Sequence, residues 1–163
     1  MIQMEIGGLG FDPRNLSPLV LLRDHEEMNF LPIWIGIFEA ASIAMELQGV
    51  TPPRPMTHDL LRSVIEKLDA KMTKVTINDV KEGTFYSVIE LEKKSGEKLF
   101  VDSRPSDAIA LAIRFGAPIY VSEVVMMQAK VVNAEKDAEE TKKFKEFLDN
   151  LKPDDFTKYY KQD

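Results

Sequence analysis

The chain has 163 residues, 44% of them hydrophobic and 29% charged, with a net charge of −6 and no cysteine. That size suits one domain with a substantial core, and the apolar content excludes a disordered chain. The missing thiols exclude a disulfide framework, a thiolate zinc site and a cysteine nucleophile. No apolar run reaches the about 18 residues that cross a bilayer, and Met1-Ile2-Gln3-Met4-Glu5 lacks the basic and apolar regions of a signal peptide. A cytoplasmic protein without a membrane partner is expected. The surplus of 27 acidic over 21 basic residues works against loose, charge-driven binding of nucleic acid, so such a partner would need a local basic path or a bound cation.

In chain order, Ile2, Met4 and Ile6 alternate with polar residues as a half-buried strand does, and Gly7-Gly8 interrupts them. Asp12-Pro13-Arg14-Asn15 is turn chemistry, and Pro18 to Leu22 is a second strand ending in the charged turn Arg23 to Glu27, with His25 exposed. Phe30 to Ile35 is a third strand, in which Pro32 signals an edge or a bulge and Trp34 is expected in the core. Ile37 to Gln48 is a buried helix broken only by Glu39, Ser42 and Glu46, with Gly49 as its stop. After a proline-rich connection, Leu60, Leu61, Val64, Ile65 and Leu68 form an amphipathic helical stripe with Thr57 as the expected N-cap. Lys74 to Asn78, Thr84 to Leu91 and Leu99 to Val101 read as strands. A second apolar helix spans Pro105 to Phe115 and ends at Gly116, followed by a short strand Pro118 to Val121. Val124 to Val132 fits helix or strand, and Ala134 to Leu151 is a charged helix with Phe144, Phe147, Leu148 and Leu151 on one face. The expected division is a domain over 1–132 and a charged helical extension over 133–163.

A shift of 68 residues lays Glu39-Ala40-Ala41-Ser42 on Asp107-Ala108-Ile109-Ala110 and brings Leu31 and Ile33 onto Leu99 and Val101. Each buried helix follows three strand-like segments. The expected fold is therefore α+β: a duplicated β-β-β-α unit with a mainly antiparallel sheet, buried helices and a C-terminal helical tail. Glu39 and Asp107 become equivalent carboxylates.

Polar groups recur at the helix starts: Glu39, then Arg54, His58 and Asp59, then Asp102, Arg104, Ser106 and Asp107. Helix N-termini leave N–H groups unpaired and favour anions. Hydrolysis of a phosphodiester needs charge neutralised on phosphoryl oxygens and an activated water. Asp and Glu can hold Mg²⁺ or Mn²⁺, Arg grips phosphate, and His58 can act as base or ligand. The same groups also serve structure: Ser103 or Ser106 can cap the second buried helix, Pro105 suits its first turn, and Arg54 and Arg104 can each pair with a nearby Asp. No dinucleotide fingerprint, phosphate loop, nucleophile elbow or His-Glu-x-x-His pattern is present.

Leu31-Pro32-Ile33-Trp34-Ile35-Gly36 with Glu39-Ala40, Arg54-Pro55-Met56-Thr57-His58-Asp59-Leu60-Leu61, Gly83-Thr84-Phe85-Tyr86, Asp102-Ser103-Arg104-Pro105-Ser106-Asp107-Ala108-Ile109 and Ala117-Pro118-Ile119 together resemble the bifunctional nuclease family. The resemblance implies an α+β fold, cleavage of RNA and DNA, and self-association into a homo-oligomer. With it, the expected catalytic residues are His58, Asp59, Asp102 and Asp107, with Arg54, Arg104 and Ser106 on the substrate. Asp59, Asp102, Asp107 and Glu39 are the expected ligands of a divalent Mg or Mn ion. The competing expectation is a non-catalytic oligomeric binding or regulatory module with anion-binding helix N-termini.

Overall fold

Alternating apolar residues at the start of the chain build a strand that runs further than its glycines suggest. The computed structural model describes residues 1–129 and 132–133, and its first elements are β1 (Ile2–Phe11), β2 (Pro18–Asp24), β3 (Asn29–Trp34) and α1 (Ile37–Leu47). Gly7-Gly8 does not end β1. The register against β2 slips between Ile6 and Gly8, so the pair marks a bulge, and a side chain at Gly7 would crowd the Arg23 stem. Next come α2 (Thr57–Lys67), β4 (Ala70–Lys81), β5 (Thr84–Lys93), β6 (Lys98–Ser103) and α3 (Pro105–Phe115). β7 (Ile119–Val121), α4 (Glu123–Gln128) and β8 (Val132–Asn133) complete the described chain. The ambiguous stretch from Val124 thus resolves into a short helix and a short strand.

The duplication is visible in the element bounds. α1 and α3 each have 11 residues, and Ile37–Leu47 moved by 68 falls on Pro105–Phe115. The described strands form one sheet in the order β6-β5-β4-β7-β1-β2-β3-β8. β7 lies between the two half-sheets, antiparallel to β1 and parallel to β4, so β1 and β4 run in opposite directions. A pseudo-two-fold axis through the sheet follows. Every other described pairing is antiparallel.

The core lies between the sheet and the helices. Leu22, Leu31, Val75, Ile77 and Ile89 meet Ala40, Ile43, Ala44, Ala108, Ile109 and Leu111. Each fully buried Leu or Ile contributes about 1.5–3 kcal/mol. Alanines at the helix contacts let α1 and α3 pack closely on each other and on the strands.

One expectation of burial fails, and one apolar stripe turns outward. Trp34 is 43% exposed, because its indole reaches sideways to donate from Nε1 to Asp12 at 3.1 Å instead of turning inward. The stripe on α2 is mostly outward: only His58 and Ile65 are buried, while Leu60, Leu61, Val64 and Leu68 are exposed. α2 rests on α3 and β4 along a narrow line that carries a histidine. Pro32 does lie at an edge, since β8 pairs β3 only at Asn29 and Phe30. The expected helix over 134–151, with nearly all of the 133–163 extension, lies outside the described residues.

Candidate active site at the helix starts

α3 begins at Arg104, the N-cap, whose extended backbone (φ −70, ψ 143) is followed by Pro105 at the first helical position. Neither expected serine caps it. The Ser103 hydroxyl is 2.9 Å from that of Ser87 across the β5–β6 ladder, and Ser106 is buried in the first helical turn. The helix start therefore keeps its positive end free of a side-chain cap, with Asp107 one turn in.

Arg104 ties the two repeats together at this point. Its Nε donates to Asp107 Oδ2 at 2.8 Å, and Nη2 donates to Glu39 Oε1 at 2.8 Å. The equivalent carboxylates thus share one guanidinium. Gly36 occupies in the first repeat the place of Arg104 in the second, and a Cβ there would overlap the Glu39 carboxylate, which folds back over the start of α1. Glycine at this position leaves the space that Glu39 fills.

His58, buried in the first turn of α2, connects the cluster to the interior. Its Nε2 is 3.0 Å from Asp107 Oδ1, and its Nδ1 is 2.7 Å from the Ser42 hydroxyl on α1. An ionised Asp107 only accepts, so Nε2 carries the proton, and in the neutral ring Nδ1 accepts from Ser42. Burial pushes the Asp107 carboxyl up, but hydrogen bonds from Arg104 and His58, and the charges behind them, outweigh it and hold it below the usual carboxylate range. The same contacts raise Arg104, through Asp107 first and then Glu39.

Asp59 has a different partner. Arg114, in the last turn of α3, donates from Nε to Asp59 Oδ1 at 2.8 Å, from Nη1 to the Ala110 carbonyl at 2.7 Å and from Nη2 to the Ser42 carbonyl at 3.2 Å. Asp59 Oδ2 accepts the Met56 N–H at 3.0 Å. Met56 is therefore the N-cap of α2, in place of Thr57, which is the first helical residue. The Asp59 carboxylate, three residues after the cap, accepts the N–H of the cap residue itself, the reciprocal half of a capping box. Burial raises the Asp59 carboxyl, and Arg114 and the Met56 N–H more than offset it, leaving it below its ordinary value.

Glu39, His58, Arg104 and Asp107 thus form one hydrogen-bonded chain, with Asp59 held beside it by Arg114. Arg54 is exposed on the connection before α2, and Asp102 points elsewhere. On β6 Asp102 shares a face with Lys98 and Phe100, whereas Val101 lies opposite the core residue Ile89. Ser42 and Arg114 were not among the expected site residues. Each is a polar side chain set among the apolar residues of a buried helix, and that setting was the available signal: a buried polar group needs a partner.

Among the described residues, no three His, Asp or Glu side chains gather into a set that could hold a metal ion. Glu39 and Asp107 already share Arg104, Asp59 is engaged with Arg114, and Asp102 is on the far face of the sheet. The four carboxylates expected around Mg or Mn do not fit such an ion as they stand.

What the arrangement offers chemically is a polarity from outside to inside. The Arg104 side chain is 65% exposed and that of Asp107 31%, while His58 and Ser42 stand buried behind them. An anion can reach the guanidinium, and the buried imidazole steadies the Asp107 carboxylate by donating from Nε2.

Comparison with known proteins places these residues in a family context. The sequence model described as Bifunctional nuclease domain matches residues 20–134. An uncharacterized protein of Mycobacterium tuberculosis is 42% identical over 165 residues, covering 96% of this chain and 98% of its own length. Bifunctional nuclease 1 of Oryza sativa subsp. japonica is 28% identical over 94 residues, covering 56% of this chain and 28% of the rice protein. The matched span includes all the site residues described above.

Proposed function

We propose that this chain, which belongs to the bifunctional nuclease domain family, hydrolyses phosphodiester bonds of RNA and DNA at the Arg104–Asp107–His58 cluster. The observation that carries the reading is the placement of Asp107 between an exposed guanidinium and a buried imidazole, at the uncapped start of a helix. Arg104 receives the phosphoryl oxygens, and the N–H groups of the first turn of α3 add to the positive field as charge builds in the transition state. Asp107 orients the attacking water and takes its proton, supported by His58. The water oxygen bonds to phosphorus, the ester oxygen leaves, and the proton returns to that leaving oxygen. Ser42 acts from behind as a positioning residue by fixing the imidazole tautomer. Glu39 holds Arg104 from the side. Arg54 and Asp102 lie outside this proposal because neither is joined to the cluster.

No step is routed through a metal, since a divalent ion would have to displace the Arg104 guanidinium from between Glu39 and Asp107. Metal assistance is tested separately. Labelled single-stranded RNA and DNA are incubated with wild type, Asp107→Asn and Arg104→Ala, each with Mg²⁺, Mn²⁺ or chelator, after circular dichroism has confirmed folding. The expected result is cleavage by wild type that falls at least about a hundredfold in both variants. Retention of activity in chelator supports the metal-free route, and its loss assigns an ion to the reaction. Equal cleavage by all three proteins would overturn the site. No cleavage by folded wild type would leave the cluster as a clasp joining α1, α2 and α3, and would favour the binding module.

A further inference from the structure

We propose that two copies of this chain associate edge to edge through β6, continuing the sheet across a two-fold axis centred on Phe100. The two edges of the described sheet differ. At one, β3 carries Pro32 and is followed by the two-residue β8. At the other, β6 is paired on β5 alone among the described residues, without a proline or a bulge over its six residues. No other described residue pairs with its outer backbone groups, which face outward ready to form a ladder, and Phe100 is 67% exposed with Val101 exposed beside it.

A second copy is the occupant that the β6 sequence itself selects. In an antiparallel ladder only alternate residues aim their N–H and C=O groups to a given side, so a strand pairing with its own copy must be centred on a residue. Centred on Phe100, the order Lys98-Leu99-Phe100-Val101-Asp102 is self-complementary. Lys98 falls opposite the partner's Asp102, Leu99 opposite the partner's Val101, and the two Phe100 rings meet at the axis. Centring on Leu99 or Val101 loses both ion pairs. Lys98, Phe100 and Asp102 share the face away from the helices, so the aromatic pair would be flanked by a salt bridge on each side. Lys98 already contacts Glu90 at 3.1 Å with its side chain half exposed, and this holds the ammonium on that face.

The test uses the full chain in sedimentation velocity over a range of concentrations. Wild type is expected to dimerise. Asp102→Lys sets Lys98 against the partner's substituted position, and Lys98→Asp sets two carboxylates together, so each variant alone is expected to weaken the dimer by about tenfold or more. Mixed in equal amounts, the two variants become complementary at both pairs and should recover a heterodimer. Phe100→Asp should be monomeric, with its fold checked by thermal melting. Recovery on mixing supports the β6 contact, because misfolding of either variant could not produce it. A wild type that stays monomeric overturns the proposal. So does a dimer indifferent to Phe100→Asp and Asp102→Lys, which would put the contact on another surface such as the Leu60, Val64 and Leu68 face of α2.

Discussion

Only 4% of the Arg114 side chain is exposed, yet it holds a full charge among three acceptors: the Asp59 carboxylate and the carbonyls of Ala110 and Ser42. Truncating it leaves Asp59 without its counter-charge and both carbonyls short of a donor. Arg114→Ala is expected to lower stability by about 3 kcal/mol, read from the midpoint of urea unfolding at unchanged slope. A loss under about 1 kcal/mol would mean that water replaces the guanidinium and that Arg114 does not organise the site. At this scale the sequence was informative where partners are near in the chain. Arg104 and Asp107 are three apart on one helix turn, and their pairing was foreseeable. Ser42 to His58 and Arg114 to Asp59 span separate helices, and nothing in local spacing specifies such a meeting. The caps were misjudged for a related reason. Serine and threonine are favoured caps on average, but Ser103 was already engaged by Ser87 across a ladder, and α2 starts with Met56 as its cap, so that Thr57 is already inside the helix.

Among the elements, α1 and α3 were readable because a buried helix shows itself by what it lacks: polar residues interrupt each at only a few positions. Their common length and the shift of 68 made the duplication readable as well. α2 was recognised as a helix, but its orientation was not legible. An apolar stripe does not say whether it meets its own core or another surface. β7 was seen as a strand, while its position between the half-sheets was not, since three residues cannot encode two neighbours of opposite direction. Tyr120 at its centre pairs with Gln3 on one side and Thr76 on the other. Tyr120→Pro removes a ladder donor from a strand bonded on both edges, and it is expected to cost about 3 kcal/mol or more in chemical unfolding. A variant as stable as wild type would show that the halves are held by helix packing rather than by the strand.

Over the whole molecule, carboxylates held below their usual range recur far from the helix starts. A hydrogen bond from the Arg14 side chain is the largest influence on Asp12, lowering it to about 2. Asp24 and Glu90 are lowered too: burial opposes the effect in both, Asn29 and nearby backbone N–H groups prevail at Asp24, and Lys98 is the leading cause at Glu90. With Asp59 and Asp107, these groups bind protons less readily folded than unfolded. Their contribution is complete above the unfolded carboxyl values of about 4 and is lost as pH falls through the folded ones. Thermal melts should therefore be level from about pH 7 to 5 and fall steadily from about pH 4.5 toward 2. A melting temperature unchanged across that lower range would contradict the ion-pair account. Net charge and composition foresaw none of this, because they fix how many carboxylates there are and not which of them find donors.

Because the described half-sheets share no ladder except through β7, the topology limits when they can be joined during synthesis. The strands of the first half pair only among themselves once β3 has been made, and those of the second once β6 has. No strand hydrogen bond joins them until residues 119–121 emerge. A nascent chain stopped between Phe115 and Ile119 would hold two open half-sheets facing each other across an empty strand position, so the passage of those few residues is the moment at which this protein first becomes one sheet.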